Sequence, residues 1–183
     1  KVSGGLHGVG ISVTNALSEF LEVEVKRNGK IYKQRYEKGK TVTSLEEIGI
    51  AEGTGTKVTF LPDKTIFTTT NFDYDILKTR LRELAFLNKG LKIDLKDERT
   101  NQQETFQFEG GIISFVEHLN KSKNKLHEKI LYFAKEKEKI KIEIALQYND
   151  SYSESIFSFV NNINTVEGGT HLIGFYTALT RAI

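Results

Sequence analysis

A cluster of glycines near the start of the chain is its strongest local sign of ligand chemistry. The run Gly4-Gly5-Leu6-His7-Gly8-Val9-Gly10 is followed by apolar residues at helical spacing from Val9 to Phe20. Glycines let consecutive amides turn towards one anion, and the positive end of a helix favours phosphate. The segment therefore predicts a phosphate-binding loop that leads into a helix. For a glycine cluster considered alone, however, a flexible helix start with a buried histidine is the more frequent explanation.

Two familiar phosphate motifs do not fit this loop. A P-loop ends in Gly-Lys-Ser/Thr, and the dinucleotide fingerprint needs a preceding strand and an acidic residue on the following strand. The glycine run matches neither pattern.

A second candidate lies where Gly53-Thr54-Gly55-Thr56 leads into a predicted strand at residues 57–60. At the start of a strand, the Thr56 hydroxyl is able to hydrogen-bond a nucleobase or a water beside it. Such a sequence is more often an ordinary turn. Thr56 is therefore a candidate ligand contact only in combination with the glycine loop.

Other kinds of site find little support in the sequence. The four histidines are far apart, with no His-Glu-x-x-His pattern and no Gly-x-Ser-x-Gly elbow, so we predict no metal site and no serine nucleophile. The carboxylates are typical of solvated helix faces. The basic residues Lys121, Lys123 and Lys125 fit a solvated surface better than a nucleic-acid contact.

The composition is that of an ordinary soluble globular protein, with 38% hydrophobic and 27% charged residues. Because 26 basic residues face 24 acidic ones, no global basic field argues for nucleic acid. The absence of cysteine excludes a disulfide framework and fits a reducing cytoplasm. No apolar run is long enough to span a bilayer, so no membrane association is expected.

The elements expected to position these residues follow from hydrophobic periodicity and turn signals. Helices are predicted at residues 9–20, 72–87 with Asn71 as the cap, 111–119 and from Thr170 onwards. Strands are predicted at residues 21–26 and 30–36 as a hairpin, and at 56–60, 91–95, 105–108, 140–148 and 156–160, the last two as neighbours. Charged residues crowd 121–141, which places a domain boundary near His118.

Several segments in family order resemble the B-subunit family of bacterial DNA gyrase, a type II DNA topoisomerase. Gly4–Gly10 is similar to its ATP lid and Gly55-Thr56 to the strand motif after the lid. More specific matches are residues 81–90, 108–112, 145–154 and 161–181. The resemblance implies an α+β fold. Residues 1–118 would be the C-terminal half of a Bergerat-type α/β sandwich ATPase domain, and residues 119–183 the start of a ribosomal-S5-like transducer domain.

The resemblance also implies ligand contacts. Those expected to bind ATP are Gly5, Leu6, His7, Gly8, Val9, Gly10, Ile11 and Thr56, with the lid backbone over the phosphates and Thr56 near the adenine. Arg27 matches an arginine at the pocket rim that aminocoumarin inhibitors contact, although a surface charge is the simpler role. The general base and the ligands of the ATP-bound Mg²⁺ are expected before Lys1, and a lysine for the γ-phosphate beyond Ile183. No catalytic residue is therefore expected within the chain, which alone should not hydrolyse ATP.

For the whole protein, the resemblance implies ATP-driven strand passage of double-stranded DNA and negative supercoiling in the cytoplasm. The expected partners are the gyrase A subunit, in an A2B2 heterotetramer, and a second B subunit that dimerises on ATP binding. Two alternatives stay open: the B subunit of topoisomerase IV, and a non-catalytic nucleotide-binding clamp of the same superfamily. Residues 84–88, and residues 167–171 together with 178–181, favour gyrase over topoisomerase IV.

Overall fold

The computed structural model describes residues 8–183, and the chain divides into two compact units, Lys1–Phe72 and Asp73–Ile183. The predicted domain boundary near His118 falls inside the second unit and stays a prediction. None of the helices within residues 8–183 is long and apolar enough to cross a bilayer.

The described part of the first unit, residues 8–72, is one helix and an antiparallel sheet. Its elements are α1 (Val9–Ala16), β1 (Ser18–Arg27), β2 (Lys30–Glu37), β3 (Lys40–Thr41), β4 (Glu46–Ile50) and β5 (Gly55–Pro62). The strand order is β3-β2-β1-β5, with β4 also paired to β2. Asn28 and Gly29 have φ values of 53° and 75°, the positive values that a two-residue hairpin turn requires, and this confirms the predicted β1–β2 hairpin.

The alternation of residues in β1 gives its sheet two different faces. Leu21, Val23 and Val25 lie on one face, and the register places Phe60, Val58 and Thr56 of β5 directly opposite them. Glu22 and Glu24 lie on the other face, where the Lys33 ammonium is 2.9 Å and 3.7 Å from their carboxylates. We call these the apolar face and the charged face.

The second unit contains three helices and three two-stranded hairpins. Its elements are α2 (Tyr74–Leu87), β6 (Ile93–Asp97), β7 (Gln102–Phe106), α3 (Ile112–Leu119), β8 (Leu131–Lys137), β9 (Ile140–Leu146), β10 (Phe159–Val160), β11 (Ile163–Asn164) and α4 (Thr170–Ala182). β6 pairs with β7, β8 with β9 and β10 with β11. Helix α2 packs against α3 and the β6–β7 hairpin, and Ala85, Phe86, Phe106 and Phe115 are buried.

Two predicted helix bounds need correction. The first helix ends at Ala16 rather than residue 20, because alternation of polar and apolar residues takes over from Ser18, where β1 begins. Helix α2 begins at Tyr74 and is capped by Asp73, not Asn71. The Asp73 carboxylate accepts a hydrogen bond from the Ile76 amide at 3.0 Å.

The strand pairing predicted for residues 140–148 and 156–160 was wrong. β9 pairs with β8, a strand that was not predicted and that lies within the charged stretch 121–141. Of residues 156–160, only Phe159–Val160 form a strand, and they pair with Ile163–Asn164.

Candidate functional site

The described part of the glycine loop forms the start of α1. Gly8 precedes the helix with a φ of 83°, in the left-handed region that favours glycine. The first amides of a helix lack partners within it, and α1 has neither a side-chain cap nor an acidic residue in its first turn. A Cβ atom at Gly8 or Gly10 would meet no atom of residues 8–183 within 4 Å. The start of α1 therefore fits an anion. The predicted residues Gly5, Leu6 and His7 lie outside the described residues.

Thr56 and Arg27 share the apolar face of the sheet. Thr56 lies opposite Val25, and Arg27 is the next residue of β1 on the same face. Both side chains are exposed, and neither makes a hydrogen bond or ion pair within residues 8–183. Helix α1, which contains the predicted residues Val9, Gly10 and Ile11, contacts β1 and β2 of this sheet. No hydrogen bond in the described part of the chain joins Thr56 or Arg27 to α1.

A buried aspartate that the sequence analysis missed lies at the end of β5. The Asp63 side chain is only 3% exposed and accepts hydrogen bonds from the Thr65 amide at 2.8 Å and the Thr65 hydroxyl at 2.7 Å. The Lys38 ammonium lies 2.9 Å away. The Thr65 hydroxyl and amide, followed by Lys38, lower the pKa of Asp63 from 3.8 to about 2. Since the Asp63 amide also donates to the Leu17 carbonyl at 3.0 Å, this residue ties the segment after α1 to the end of β5. The Asp-x-Thr spacing is the sequence signal for such a turn.

The cavity next to Asp63 lies on the charged face. It has a volume of about 370 Å³, and among its lining residues the Arg35 guanidinium lies 4.4 Å from the centre of the Phe20 ring. Phe20 and Arg35 alternate with the residues of the apolar face, so this cavity and Thr56 are on opposite sides of the sheet. The cavity is therefore separate from the predicted nucleotide site.

No metal centre is formed by the described residues. Within residues 8–183, no group of three or more histidine, aspartate or glutamate side chains is placed to hold an ion.

Comparison with solved structures gives the class of this fold. The ATPase domain of Thermus thermophilus gyrase B in complex with an aminocoumarin superimposes with a TM-score of 0.86 at 38% identity, over 96% of this chain and 49% of that one. The gyrase B protein of Myxococcus xanthus gives a TM-score of 0.82 at 28% identity, over 92% of this chain and 50% of that one. The molecule therefore has the mixed α/β fold of the ATPase region of a type II topoisomerase, as the sequence predicted.

Sequence comparison gives the family. The B subunit of DNA gyrase from Clostridium acetobutylicum is 57% identical over 184 residues, which cover 100% of this chain and 29% of the relative. The corresponding protein of Thermotoga maritima is 55% identical over 188 residues, covering 99% of this chain and 30% of the relative. The family model described as DNA gyrase B matches residues 111–183. The chain belongs to the DNA gyrase B family, and it spans less than a third of the length of these two relatives.

Proposed function

We propose that this chain is part of the B subunit of an ATP-dependent type II DNA topoisomerase. In the intact protein, binding and hydrolysis of ATP drive passage of one DNA duplex through another and introduce negative supercoils. The observation that carries this proposal is the 57% identity to a gyrase B protein over the whole chain. The structural match to a gyrase B ATPase domain supports it.

We propose that the loop containing Gly5, Leu6, His7, Gly8, Val9, Gly10 and Ile11 closes over the ATP phosphates. Its described part supports this role, because the start of α1 offers helix amides without a side-chain cap, and no atom of residues 8–183 crowds Gly8 or Gly10. Bound ATP supplies the phosphoanhydride that is cleaved, and its Mg²⁺ neutralises the phosphate charge. We assign the Mg²⁺ ligands and the general base to other parts of the intact protein, so the chain alone is expected to hydrolyse no ATP.

The apolar face of the first sheet is proposed to hold the base. Thr56 lies at the start of β5, and its hydroxyl makes no hydrogen bond to any of residues 8–183, which suits a hydrogen bond to adenine, directly or through water. Arg27, on the same face, is proposed to contact aminocoumarins at the pocket rim. The T. thermophilus domain, which has this fold, was solved with such a compound.

The partners proposed for the intact protein follow from the family. They are double-stranded DNA, the gyrase A subunit in an A2B2 heterotetramer, and a second copy of the B subunit, with which it dimerises when ATP binds. The proposed compartment is the cytoplasm.

The test uses the full-length protein that contains this chain, reconstituted with its A subunit and incubated with relaxed plasmid. We expect ATP to produce negatively supercoiled DNA, resolved by gel electrophoresis, and an aminocoumarin to abolish the reaction. Decatenation or relaxation without negative supercoiling would contradict the gyrase proposal and indicate topoisomerase IV. ATP binding with no ATP-dependent strand passage would indicate a non-catalytic clamp.

A further inference from the structure

A hydrogen bond between two asparagines joins the end of α2 to a hairpin far along the chain. The Asn162 side-chain amide donates to Oδ1 of Asn88 at 3.1 Å, across 74 residues of sequence. Asn88 is the C-cap of α2, and its own side-chain amide donates to the Leu84 carbonyl at 2.8 Å. Asn88 therefore caps its helix with one end of its amide group and holds the distant hairpin with the other.

Asn162 lies in a tight two-residue turn of the hairpin. Asn161 and Asn162 have φ values of 50° and 68° and form the two-residue loop between β10 and β11. Two positive φ values define a tight turn that asparagine and glycine adopt readily. Asn161 is exposed, whereas Asn162 is half-buried against the end of α2. The two neighbours thus share a backbone conformation and differ in their contacts.

Aromatic contacts attach the same hairpin segment to α2 a second time. Phe86 of α2 stacks on Phe115 of α3, with ring centres 5.1 Å apart. Phe115 in turn contacts Phe157 at 5.2 Å and Phe159 at 6.5 Å between ring centres. The segment from Phe157 to Asn162 is therefore held both through a shared aromatic cluster and through the asparagine pair.

Lys89, the residue after Asn88, contacts Gly111 and the β8 residue Tyr132. The Lys89 side chain crosses Gly111, where a Cβ atom would lie only 2.7 Å from its Cε, and its ammonium lies 5.8 Å from the centre of the Tyr132 ring. Gly111 has a φ of 60°, so glycine is favoured there on conformational grounds as well.

We infer that Asn162 is a positioning residue that fixes the β10–β11 hairpin to the end of α2, so that the two move as one body. This inference rests on the proposed function, in which the conformational effect of ATP binding and hydrolysis must be transmitted to the later part of the chain. Helix α2 is the first helix after β5, the strand that carries Thr56. Because a side-chain amide offers both a donor and an acceptor, the Asn88–Asn162 pair can fix one relative position of helix and hairpin.

The test replaces Asn162 by glycine in the full-length protein reconstituted with its A subunit, with Asn161→Gly as the matched control. Glycine adopts positive φ freely, so both variants keep the turn, and only Asn162→Gly removes the contact with Asn88. We expect Asn162→Gly to lower the supercoils introduced per ATP hydrolysed by roughly 2- to 10-fold, the range for loss of one neutral hydrogen bond. DNA-independent ATP hydrolysis and the KM for ATP should stay unchanged. Asn161→Gly should match wild type in every measurement.

Amide hydrogen exchange provides a readout that needs no catalysis. In Asn162→Gly, exchange should quicken both in the hairpin and at the end of α2, whereas Asn161→Gly should leave α2 unchanged. Faster exchange confined to the hairpin would overturn the inference, as would a wild-type supercoil-to-ATP ratio in Asn162→Gly or a parallel fall in basal hydrolysis. A wild-type protein without ATP-dependent strand passage would instead overturn the proposed function, and with it the transmitting role of Asn162.

Discussion

Phe86 provides the most sensitive test of how the second unit is held together. Its side chain is 2% exposed and stacks on Phe108, with ring centres 3.7 Å apart, as well as on Phe115. The Phe86→Ala substitution removes the ring that these two neighbours share and leaves a cavity between α2 and α3. Because the rings come from three different segments, the surrounding structure has little freedom to collapse into the space.

The size of the effect follows from the burial of the ring. Replacing a buried phenylalanine by alanine costs about 3 to 5 kcal/mol, of which the cavity is a substantial part. Since about 1.4 kcal/mol corresponds to tenfold in an equilibrium constant, local opening of α2 should become roughly 100-fold or more frequent. That loss is a large fraction of the total stability of a typical domain, which is about 5 to 15 kcal/mol.

Amide hydrogen exchange followed by mass spectrometry measures this opening segment by segment. Peptides covering α2 and α3 should exchange faster in Phe86→Ala by roughly the factor of 100 or more given by the buried-ring cost. Phe133→Ala is the matched control, because Phe133 on β8 is 58% exposed and its loss creates no buried cavity. The control should change exchange by about threefold or less. Equal effects of the two substitutions on α2 and α3 would refute the assignment of Phe86 to the centre of this core.

Two further outcomes are expected for the first unit. Thr56→Val should raise the KM of the full-length protein for ATP by roughly 2- to 10-fold through loss of one hydrogen bond. The control is Thr59→Val, the same change on the charged face of β5, which should leave this KM unchanged. Equal KM values for the two variants in steady-state assays would contradict the adenine contact. The pKa of Asp63 is lowered from 3.8 to about 2, so the stability it contributes is present above about pH 4 and is lost as the pH falls towards 2. Carbon-13 NMR titration should show this low pKa in wild type and a higher one in Thr65→Val, and an Asp63 carboxyl that titrates near 3.8 in wild type would be the contrary result.

Much of the first unit could be predicted because its signals are local. The alternation in β1 and the Asn28-Gly29 turn fix a hairpin without reference to the rest of the chain. The start of α1 follows in the same way from its glycines. The end of α1 could not be located, because Leu17 and Phe20 continue the helical spacing while the sheet extends β1 back to Ser18. Tertiary pairing overrides local periodicity at such a junction.

The second unit was harder to predict where charged residues form strands. Leu131–Lys137 contains three charged residues at its end, yet it pairs with β9 along its whole length. Lysine and glutamate are depleted in strands on average, so the charged stretch 121–141 indicated a domain boundary and no strand was predicted at β8. The Asn88–Asn162 contact was beyond prediction for a different reason. Neither residue carries a local signal for a partner 74 positions away.

The two faces of the first sheet differ in a way that bears on where a nucleotide can bind. On β1 and β5 the charged face carries Glu22 and Glu24 together with Lys26 and Lys57, and the two carboxylates lie near the Lys33 and Lys57 ammonium groups. The apolar face of the same strands carries no carboxylate, and its charged residue is Arg27, placed beside Thr56. Arg27 makes no ion pair within residues 8–183, so the face that holds the predicted adenine and inhibitor contacts offers an anionic ligand a cation that no described carboxylate neutralises. The cavity on the charged face beside Asp63 is lined by three carboxylates and two basic side chains, a less favourable balance of charge for an anion. Charge thus supports the sheet face on which the site is proposed, independently of family resemblance.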